Sequence, residues 1–377
     1  MIEKRALQFF EQICNGFGPP GFEREVLRAV RDYVTPFAED VRQDKMGSLL
    51  YSAKGSASSP VIFMPGHVDE VGFIVTGIND KGFLSFNPLG GWFDQVLLGQ
   101  RVTVRTHLGD HLGIIASKPP HLLPADVRNK VVEKDSMFID LGCSNRKEAE
   151  AMGVRVGDPV VPRSTFSTME KRVFEKVNGV DTEKGTMTMA TGKAFDDRVG
   201  AFVAAEVVRA LKEQGNRHPN TLIGAATVQE EVGVRGATTA GWLADPDVVL
   251  ALEADISGDV PGIEPHQAPA IMGKGPSILT YDASMIPNQA LKDFAIDTAE
   301  KAGIPYQLST IARGGTDAGA VHKLRAGCPG LVLAIPTRHI HSHVAILSLT
   351  DIENGVRLLT EMVRGLDAKR VEDLTRL

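Results

Sequence analysis

The stretch TLIGAATVQEEVGVRGATTAGWLADPDVVLALEA (residues 221–254) indicates the fold class of this chain. It predicts an apolar strand at 221–229, a helix near 234–244 and a second apolar strand at 248–254. The alternation continues on both sides, with helices predicted at 198–215, 288–303 and near 316–325, and strands at 306–312 and 330–335. Alternating helices and strands are typical of an α/β fold, so we expect a mixed sheet sandwiched by helices.

The chain before residue 195 consists of two different parts. The first contains two amphipathic helices, at 3–15 and 22–37, followed by PVIFMPGHVDEVGFIV (60–75), in which a buried strand is expected to end at His67. From about residue 71 to 189, short strand-like runs alternate with glycines and prolines, and only one helix is predicted, near 145–152. This change indicates a small β-rich module inserted into the α/β part.

Composition and charge exclude several classes of protein. The chain has 377 residues, of which 43% are hydrophobic and 23% charged, and its net charge is -6; this is the composition of a globular protein. The mild acidity argues against a nucleic-acid partner, and no stretch has the apolar pattern of a membrane span or a secretion signal. Three widely separated cysteines, Cys14, Cys143 and Cys328, indicate a reducing compartment. We therefore expect a cytoplasmic protein with no nucleic-acid or membrane partner.

Five clusters of acidic residues and histidines lie mostly where apolar strands end or helices begin. They are His67 with Asp69, Asp196 with Asp197, Glu230 with Glu231, Glu253 with Asp255, and His341 with His343. Because ligands bind at the carboxyl ends of strands in open α/β sheets, these clusters could converge on one crevice. Imidazoles and carboxylates without a thiolate suit zinc, cobalt or manganese.

Most of these clusters also have a simpler interpretation. His67 could be a structural histidine, although Asp69 lies where a carboxylate can receive the second imidazole N–H, as in many metal sites. Asp196 and Asp197 could merely stabilise the positive end of a helix dipole. The histidines near residue 340 could form a surface group.

The adjacent pair Glu230 and Glu231 is the most informative cluster. Two neighbouring carboxylates directly after an uncharged run repel each other unless a cation lies beside them. In a regular strand they would point to opposite faces, so both can reach one site only if the chain turns there, which Gly233 and Gly236 permit. The alternative is a solvated loop rim.

In their order along the chain, these motifs resemble the M42 family of metallo-aminopeptidases. The matching segments are HVDEVG (67–72), AFDDRVG (194–200), QEEVGVRGA (229–237), LALEADISGDVPG (250–262), GGTDAGAVH (314–322) and RHIHS (338–342), with GGWFDQVLLGQRV (90–102) and KPPHLL (118–123) between them. The resemblance therefore runs nearly end to end. It implies an α/β, Zn-peptidase-like catalytic domain formed by 1–70 and 190–377, and an inserted β-barrel-like dimerisation domain at 71–189.

The resemblance also implies roles for the clustered residues. The implied ligands of two divalent metal ions are His67 for one ion, Asp196 as the bridging carboxylate, and Glu231 and His341 for the other ion. Glu230 is implied as the general base, and Asp69 as the residue that orients His67. Zinc is the favoured metal, and cobalt and manganese are compatible with the same ligands.

The fifth ligand departs from the commonest pattern of the family, in which an Asp often stands six residues before the Asp of a D-x-P-G segment. Here Asp259 begins DVPG and the residue six positions earlier is Glu253, whose longer side chain can bind similarly. Asp255 is the alternative, because on a strand it shares the face of Glu253. Thr316 and Asp317 lie where the family lines its substrate pocket, although a helix cap followed by an acid explains both equally well.

The implied function is removal of N-terminal residues from peptides, by a homo-oligomer in which dimers assemble into a dodecamer. Two other classes of hydrolase remain open: a related di-metal aminoacylase or carboxypeptidase, and a glycosidase that uses Glu230 and Glu231. The adjacent glutamates are poorly placed for the second, because glycosidases separate their carboxyl groups by about 5 to 10 Å across the sugar bond.

Overall fold

The computed structural model describes residues 2–376, apart from the side chain of residue 175. The helices are α1 (Lys4–Asn15), α2 (Arg24–Val34), α3 (Arg146–Ala151), α4 (Phe195–Glu213), α5 (Arg235–Ala244), α6 (Gln289–Ala302), α7 (Asp317–Val321), α8 (Leu349–Gly365) and α9 (Ala368–Asp373). The strands are β1 (Val41–Gln43), β2 (Leu49–Lys54), β3 (Val61–His67), β4 (Gly72–Ile78), β5 (Leu84–Leu89), β6 (Arg101–Thr106), β7 (Gly109–Ala116), β8 (Phe138–Asp140), β9 (Pro159–Pro162), β10 (Ser167–Val177), β11 (Val180–Gly192), β12 (Thr221–Thr227), β13 (Val248–Ile256), β14 (Ser277–Asp282), β15 (Gln307–Ile311), β16 (Gly330–Arg338) and β17 (Ala345–Ser348).

The eleven described strands outside 72–162 all belong to one large mixed sheet. Its order is β1-β2-β12-β3-β13-β16-β17-β11-β10, and β14 with β15 is attached beside β16. The central strands β12, β3, β13 and β16 are parallel to one another. Parallel strands are usually buried on both faces, and the uncharged strand β12 and the apolar first five residues of β13 meet that requirement.

Helices cover both faces of this sheet. Successive residues of β13 belong to different cores: Leu250 and Leu252 pack with residues of α1, α2, α4 and α8, whereas Val249 and Ala251 pack with residues of α5 and α7. This alternation follows from the two-residue period of a strand. The expected mixed sheet sandwiched by helices is therefore confirmed.

A closed barrel interrupts the α/β part. Its six strands are ordered β4-β5-β8-β7-β6-β9, and they enclose a separate apolar core that includes Phe73, Leu84 and Ile139. The hairpin β10–β11 that follows pairs through β11 with β17 and so extends the large sheet. The inserted β-barrel is confirmed, while its boundaries at 71–189 and its role in dimerisation stay predictions.

Within residues 2–376, the helices are too short or too polar to cross a lipid bilayer.

Candidate metal centre

The strands that carry the acidic and histidine clusters are neighbours in the parallel part of the sheet. His67 is the last residue of β3, Glu253 lies near the end of β13, and Glu230 with Glu231 follows β12. His341 follows the end of β16. The order β12-β3-β13-β16 therefore gathers at one edge side chains that are far apart in sequence.

Asp196 lies between the two imidazoles. It is the second residue of α4, where the backbone is not yet helical. Its Oδ1 is 3.3 Å from Nε2 of His67, and its Oδ2 is 3.2 Å from Nε2 of His341. One carboxylate oxygen thus faces each imidazole, which is the arrangement that a carboxylate shared by two cations requires.

One glutamate adjoins each imidazole. Oε2 of Glu253 is 3.8 Å from Nε2 of His67, and Oε1 of Glu231 is 3.6 Å from Nε2 of His341. Two trios result, His67–Asp196–Glu253 and Asp196–Glu231–His341, and in each trio the candidate ligand atoms all lie within 4.8 Å of one another. The structure therefore brings the five predicted ligands together as two groups that share Asp196.

Carboxylates outnumber positive groups in this site. Burial, together with the neighbouring acids, raises the pKa of Glu231 and Glu253 well above the usual range. For His67, burial alone would lower the pKa, but Asp196, Asp69 and the nearby glutamates raise it well above its usual value. A site that balances its charges by retaining protons is suited to divalent cations, which displace those protons.

The donor set fits a divalent metal. Oε2 of Glu253 is buried and finds no hydrogen-bond partner in residues 2–376; both oxygens of Asp255 are also without a partner there, but only Glu253 lies in a trio with His67 and Asp196. Two imidazoles and three carboxylates, with no thiolate in either trio, are ligands that zinc accepts and that cobalt and manganese also tolerate.

Glu230 points into the same site but belongs to neither trio. Its Oε2 is 3.8 Å from Nε2 of His67, and its side chain is 12% exposed. Burial raises its pKa to about 8. The chain turns directly before it, at Gln229 with a φ of 56°, so Glu230 and Glu231 face one site although they are adjacent. The turn expected at this pair is confirmed.

Asp69 fixes this turn in addition to contacting His67. Its Oδ1 and Oδ2 accept hydrogen bonds from the amides of Glu230 and Glu231, both at 3.0 Å. Nδ1 of His67 lies 3.1 Å from the backbone oxygen of Asp69 and 3.6 Å from its Oδ1. The nearest acceptor for the imidazole is thus the carbonyl oxygen, while the carboxylate is engaged mainly by the two amides.

The structure distinguishes Glu253 from Asp255. Both side chains are buried, but Asp255 belongs to neither trio. Burial raises the pKa of Asp255 to about 6, and the nearby hydroxyl groups of Ser277 and Ser309 partly oppose that shift. Of the two candidates for the fifth ligand, the geometry favours Glu253.

Thr316 and Asp317 occupy different positions relative to the site. Thr316 lines the cavity above the two trios, and its hydroxyl donates a hydrogen bond of 2.9 Å to Oδ2 of Asp282. Asp317 is buried, and its Oδ2 accepts a hydrogen bond of 2.5 Å from the hydroxyl of Thr227. Their assignment to a substrate pocket stays a prediction.

Asp197 supports the site in a way that the sequence did not reveal. Its Oδ2 accepts the amide of His67 at 3.1 Å, and its Oδ1 accepts the amide of Gly200 at 3.0 Å. It thereby joins the end of β3 to the beginning of α4. Its position beside Asp196 indicates that it lies near the site. Two adjacent acids in a sequence do not show which one faces the cavity and which one supports the backbone.

Left-handed backbone conformations cluster around the site. Nine residues other than glycine have a positive φ within 2–376, and four of them lie at or within two residues of Asp196, Glu230 or His341, with φ between 53° and 63°: Ala194, Gln229, His339 and His341. Such conformations are uncommon outside glycine and tend to be retained at functional sites.

A cavity of about 480 Å³ opens over the two trios. Its other walls include Ile256, Ile311, Arg313 and the Gly314–Gly315 segment. The cavity therefore combines an acidic floor with partly apolar walls, which is a common arrangement in a site for a small organic substrate.

Known proteins resemble this chain over almost its full length. A family model described as M42 glutamyl aminopeptidase matches residues 47–358. A lysyl aminopeptidase of Pyrococcus furiosus is 31% identical over 365 residues, covering 95% of this chain and 97% of the relative.

Two solved structures share the architecture. A TET aminopeptidase from a marine sediment archaeon of the Thaumarchaeota is 55% identical, with a TM-score of 0.92, over 98% of this chain and 99% of that one. The TET1 peptidase of Pyrococcus horikoshii is 29% identical, with a TM-score of 0.80, over 96% of this chain and 100% of that one.

Proposed function

The chain belongs to the M42 family of aminopeptidases and is a hydrolase of peptide bonds, and from that premise we propose that it removes N-terminal residues from peptides with two divalent metal ions and Glu230 as general base. The observation that carries the proposal is the position of Asp196. One of its oxygens faces each imidazole, and a glutamate adjoins each imidazole from another strand.

The proposed ligands divide between two ions. His67 and Glu253 would hold one ion, Glu231 and His341 would hold the other, and Asp196 would contact both. Zinc is the proposed metal, with cobalt or manganese as alternatives. When bound, the ions supply Lewis acidity, which lowers the pKa of water and stabilises negative charge on a substrate carbonyl oxygen.

Glu230 is the group proposed to move the proton. It lies beside His67 without joining either trio, so its carboxylate is free to accept a proton from water and to deliver it to the departing amine. Burial raises its pKa to about 8 in the metal-free site, and the positive charge of bound ions would favour the carboxylate form that a general base requires. Asp69, through the amides of Glu230 and Glu231, would keep this carboxylate aimed at the site.

A homo-oligomer is the proposed assembly. The TET1 peptidase of Pyrococcus horikoshii is reported to assemble into a tetrahedron or a large octahedral shell. For this chain we propose dimers, joined through the barrel, that assemble into a dodecamer. Exposed apolar side chains on the barrel, including Leu108, Leu112 and Ile114, support a contact surface there.

The three free cysteines support a reducing, cytoplasmic location.

The test is a product analysis of one peptide in free and N-acetylated forms. We expect the enzyme, stripped with a chelator and reloaded with zinc, cobalt or manganese, to release the N-terminal residue of the free peptide only. Release of the C-terminal residue, or cleavage only of acylated amino acids, would indicate the carboxypeptidase or aminoacylase alternative. Activity on a glycoside that survives chelation would indicate the glycosidase.

The matched variant is Glu230→Gln, which keeps the shape of the side chain and removes the base. We expect it to retain both metal ions while kcat falls by roughly 100-fold or more. Full turnover in a metal-loaded Glu230→Gln enzyme would show that the base assignment is wrong.

A further inference from the structure

Two buried carboxylates accept three consecutive backbone amides at the turn that presents Glu230. Asp69 accepts the second and third of these amides, at 3.0 Å each. The first belongs to Gln229 and donates a hydrogen bond of 3.1 Å to Oε1 of Glu23. The same oxygen accepts the amide of Gly21 at 2.7 Å. Glu23 therefore ties the segment before α2 to the turn after β12.

Gln229 needs such a partner because its backbone is left-handed, with a φ of 56°. A residue other than glycine keeps that conformation only where its surroundings hold it. Glu23 is 5% exposed, and its bond to Gly21 fixes the accepting oxygen. We propose that Glu23 is a positioning residue, which holds Gln229 in the left-handed conformation and thereby aims the Glu230 carboxylate at the metal centre.

The inference rests on the proposed function, because Glu230 has a catalytic role only there. It assigns to Glu23 no contact with substrate or metal. Burial raises the pKa of Glu23 to about 7, so charged and neutral forms are both populated near neutral pH, and both offer Oε1 as an acceptor. A glutamine at this position keeps an acceptor of the same reach, whereas an alanine removes it.

A cleft on the outer side of Glu23 allows a direct test by chemical rescue. It has a volume of about 540 Å³ and is lined by two acids, Glu23 and Asp44, and by four cationic side chains, Arg24, Arg28, Arg31 and Lys45. Formate is small enough to enter this cleft and is attracted by its positive side chains. In Glu23→Ala it can take the place of the missing carboxylate and accept the amide of Gln229.

The experiment measures kcat, KM and metal content for Glu23→Ala and Glu23→Gln, each with and without formate. We expect Glu23→Ala to lose about 10- to 100-fold in kcat, with KM and metal content nearly unchanged, and formate to restore part of the loss. The kcat of Glu23→Gln should remain within about threefold of the wild-type value. Formate should not raise the kcat of that variant or of the wild type.

Asp351→Ala is the matched control for a purely structural effect. Asp351 is also buried and also accepts two backbone amides, those of Gly273 at 2.6 Å and Gly275 at 2.8 Å, but it does not line the cavity over the metal centre. We expect it to lower the melting temperature about as much as Glu23→Ala while kcat stays at the wild-type value.

Three kinetic outcomes would overturn the inference: a wild-type kcat in Glu23→Ala, an equal loss in Glu23→Gln, or no rescue by formate. A readout independent of activity is hydrogen exchange in the peptide that covers Gln229. Faster exchange there in Glu23→Ala supports the positioning role, and unchanged exchange refutes it. An inactive wild-type protein would instead refute the proposed function, and the exchange measurement would still decide the role of Glu23.

Discussion

At the scale of single residues, the fifth ligand is the assignment that the structure sharpens most. Glu253 shares a trio with His67 and Asp196, whereas Asp255, two positions on, does not. We expect Glu253→Gln to weaken the binding of one ion by at least about 100-fold, and Asp255→Asn to keep both ions. Metal content measured by mass spectrometry after dialysis checks this. Loss of an ion in Asp255→Asn, with none in Glu253→Gln, would reverse the assignment.

The charges of the same site predict how the metal-free protein responds to pH. Burial alone would lower the pKa of His341, but Asp196 and Glu231 raise it to about 10. The stability that this histidine contributes is fully present below its unfolded-state pKa of 6.5. It is lost as the pH rises towards the folded-state pKa of about 10. Burial raises the pKa of Glu230 from 4.5 to about 8. Ionisation of this buried carboxyl group therefore lowers the stability of the folded protein as the pH rises from about 4.5 to about 8, in the same direction as for His341.

We therefore expect the melting temperature of the chelator-treated protein to fall as the pH rises from about 5.5 to about 9. The metal-loaded protein should change less, because bound cations replace the protons in balancing the carboxylates. Differential scanning fluorimetry of both forms across this range is the measurement. A metal-free protein that becomes more stable with rising pH would contradict the charge balance described for the site.

At the scale of residues, the sequence predicts a role in the site only where the residue type itself suggests that role. Histidines and acids near the ends of strands or the beginnings of helices can be proposed as metal ligands from their chemistry, and His67, Asp196 and Glu231 are such cases. Glu23 could not be recognised, because within residues 2–376 its hydrogen bond to the site comes from a backbone amide 206 positions away. Any residue has a backbone amide, so no local pattern marks its acceptor.

At the scale of elements, the site depends on how closely β3 packs against the beginning of α4. A Cβ on Gly66 would lie 2.5 Å from backbone atoms of Gly200 and Ala201, so the strand and the helix can approach this closely only with glycine. We expect Gly66→Ala to destabilise the protein by about 1–3 kcal/mol. It should also lower kcat/KM by about 100-fold, because β3 carries His67 and α4 carries Asp196.

Gly77→Ala is the matched control, since a Cβ at this strand glycine would meet only the side chain of Ser85, at 3.8 Å. Urea unfolding and kcat/KM of both variants are the measurements. Equal losses in the two variants would show that the effect of Gly66→Ala comes from general strand propensity rather than from the β3–α4 contact.

The elements that could be predicted are those with a strong periodic pattern. Helix α4 and strands β12, β13 and β16 carry long apolar runs, and each was expected within a few residues of its observed position. Strands β14 and β17 were not predicted, because no local pattern marks the pairing that forms them, which is mainly with β15 for β14 and with β11 for β17. In the exposed hairpin β10–β11, the run TMTMATG (186–192) predicts the second strand, whereas charged residues dominate the first, which no apolar pattern marks.

At the scale of the whole molecule, topology decides which clusters meet. The sequence indicates that several strands end in acids or histidines, and general rules place such ends along one edge of the sheet. The order of the strands is not written in any one segment, since β12 comes long after β3 in the chain yet lies beside it. Convergence on one centre could therefore be expected in outline. The pairing of Glu231 with His341 was implied by the family resemblance, whereas the pairing of Glu253 with His67 required the fold.

The outer face of the barrel leads to a prediction about assembly. Leu112 and Ile114 alternate along β7 with the buried Gly113 and Ile115, and they are 48% and 45% exposed. Apolar side chains side by side on a surface suit contact with a second copy of the chain. We expect Leu112→Asp combined with Ile114→Asp to convert the oligomer to monomers in size-exclusion chromatography with light scattering.

Activity of that double variant on aminoacyl-p-nitroanilides should remain within about threefold of the wild type, because both trios and Glu230 belong to one chain. Asn178→Asp, which adds a charge at an exposed turn outside the barrel, should leave the mass unchanged and serves as the control. If the molar mass of the double variant's oligomer is unchanged, the interface does not include β7. A monomer without activity would mean instead that assembly helps to form the metal centre, since the substituted side chains lie on the barrel and outside the cavity over the trios.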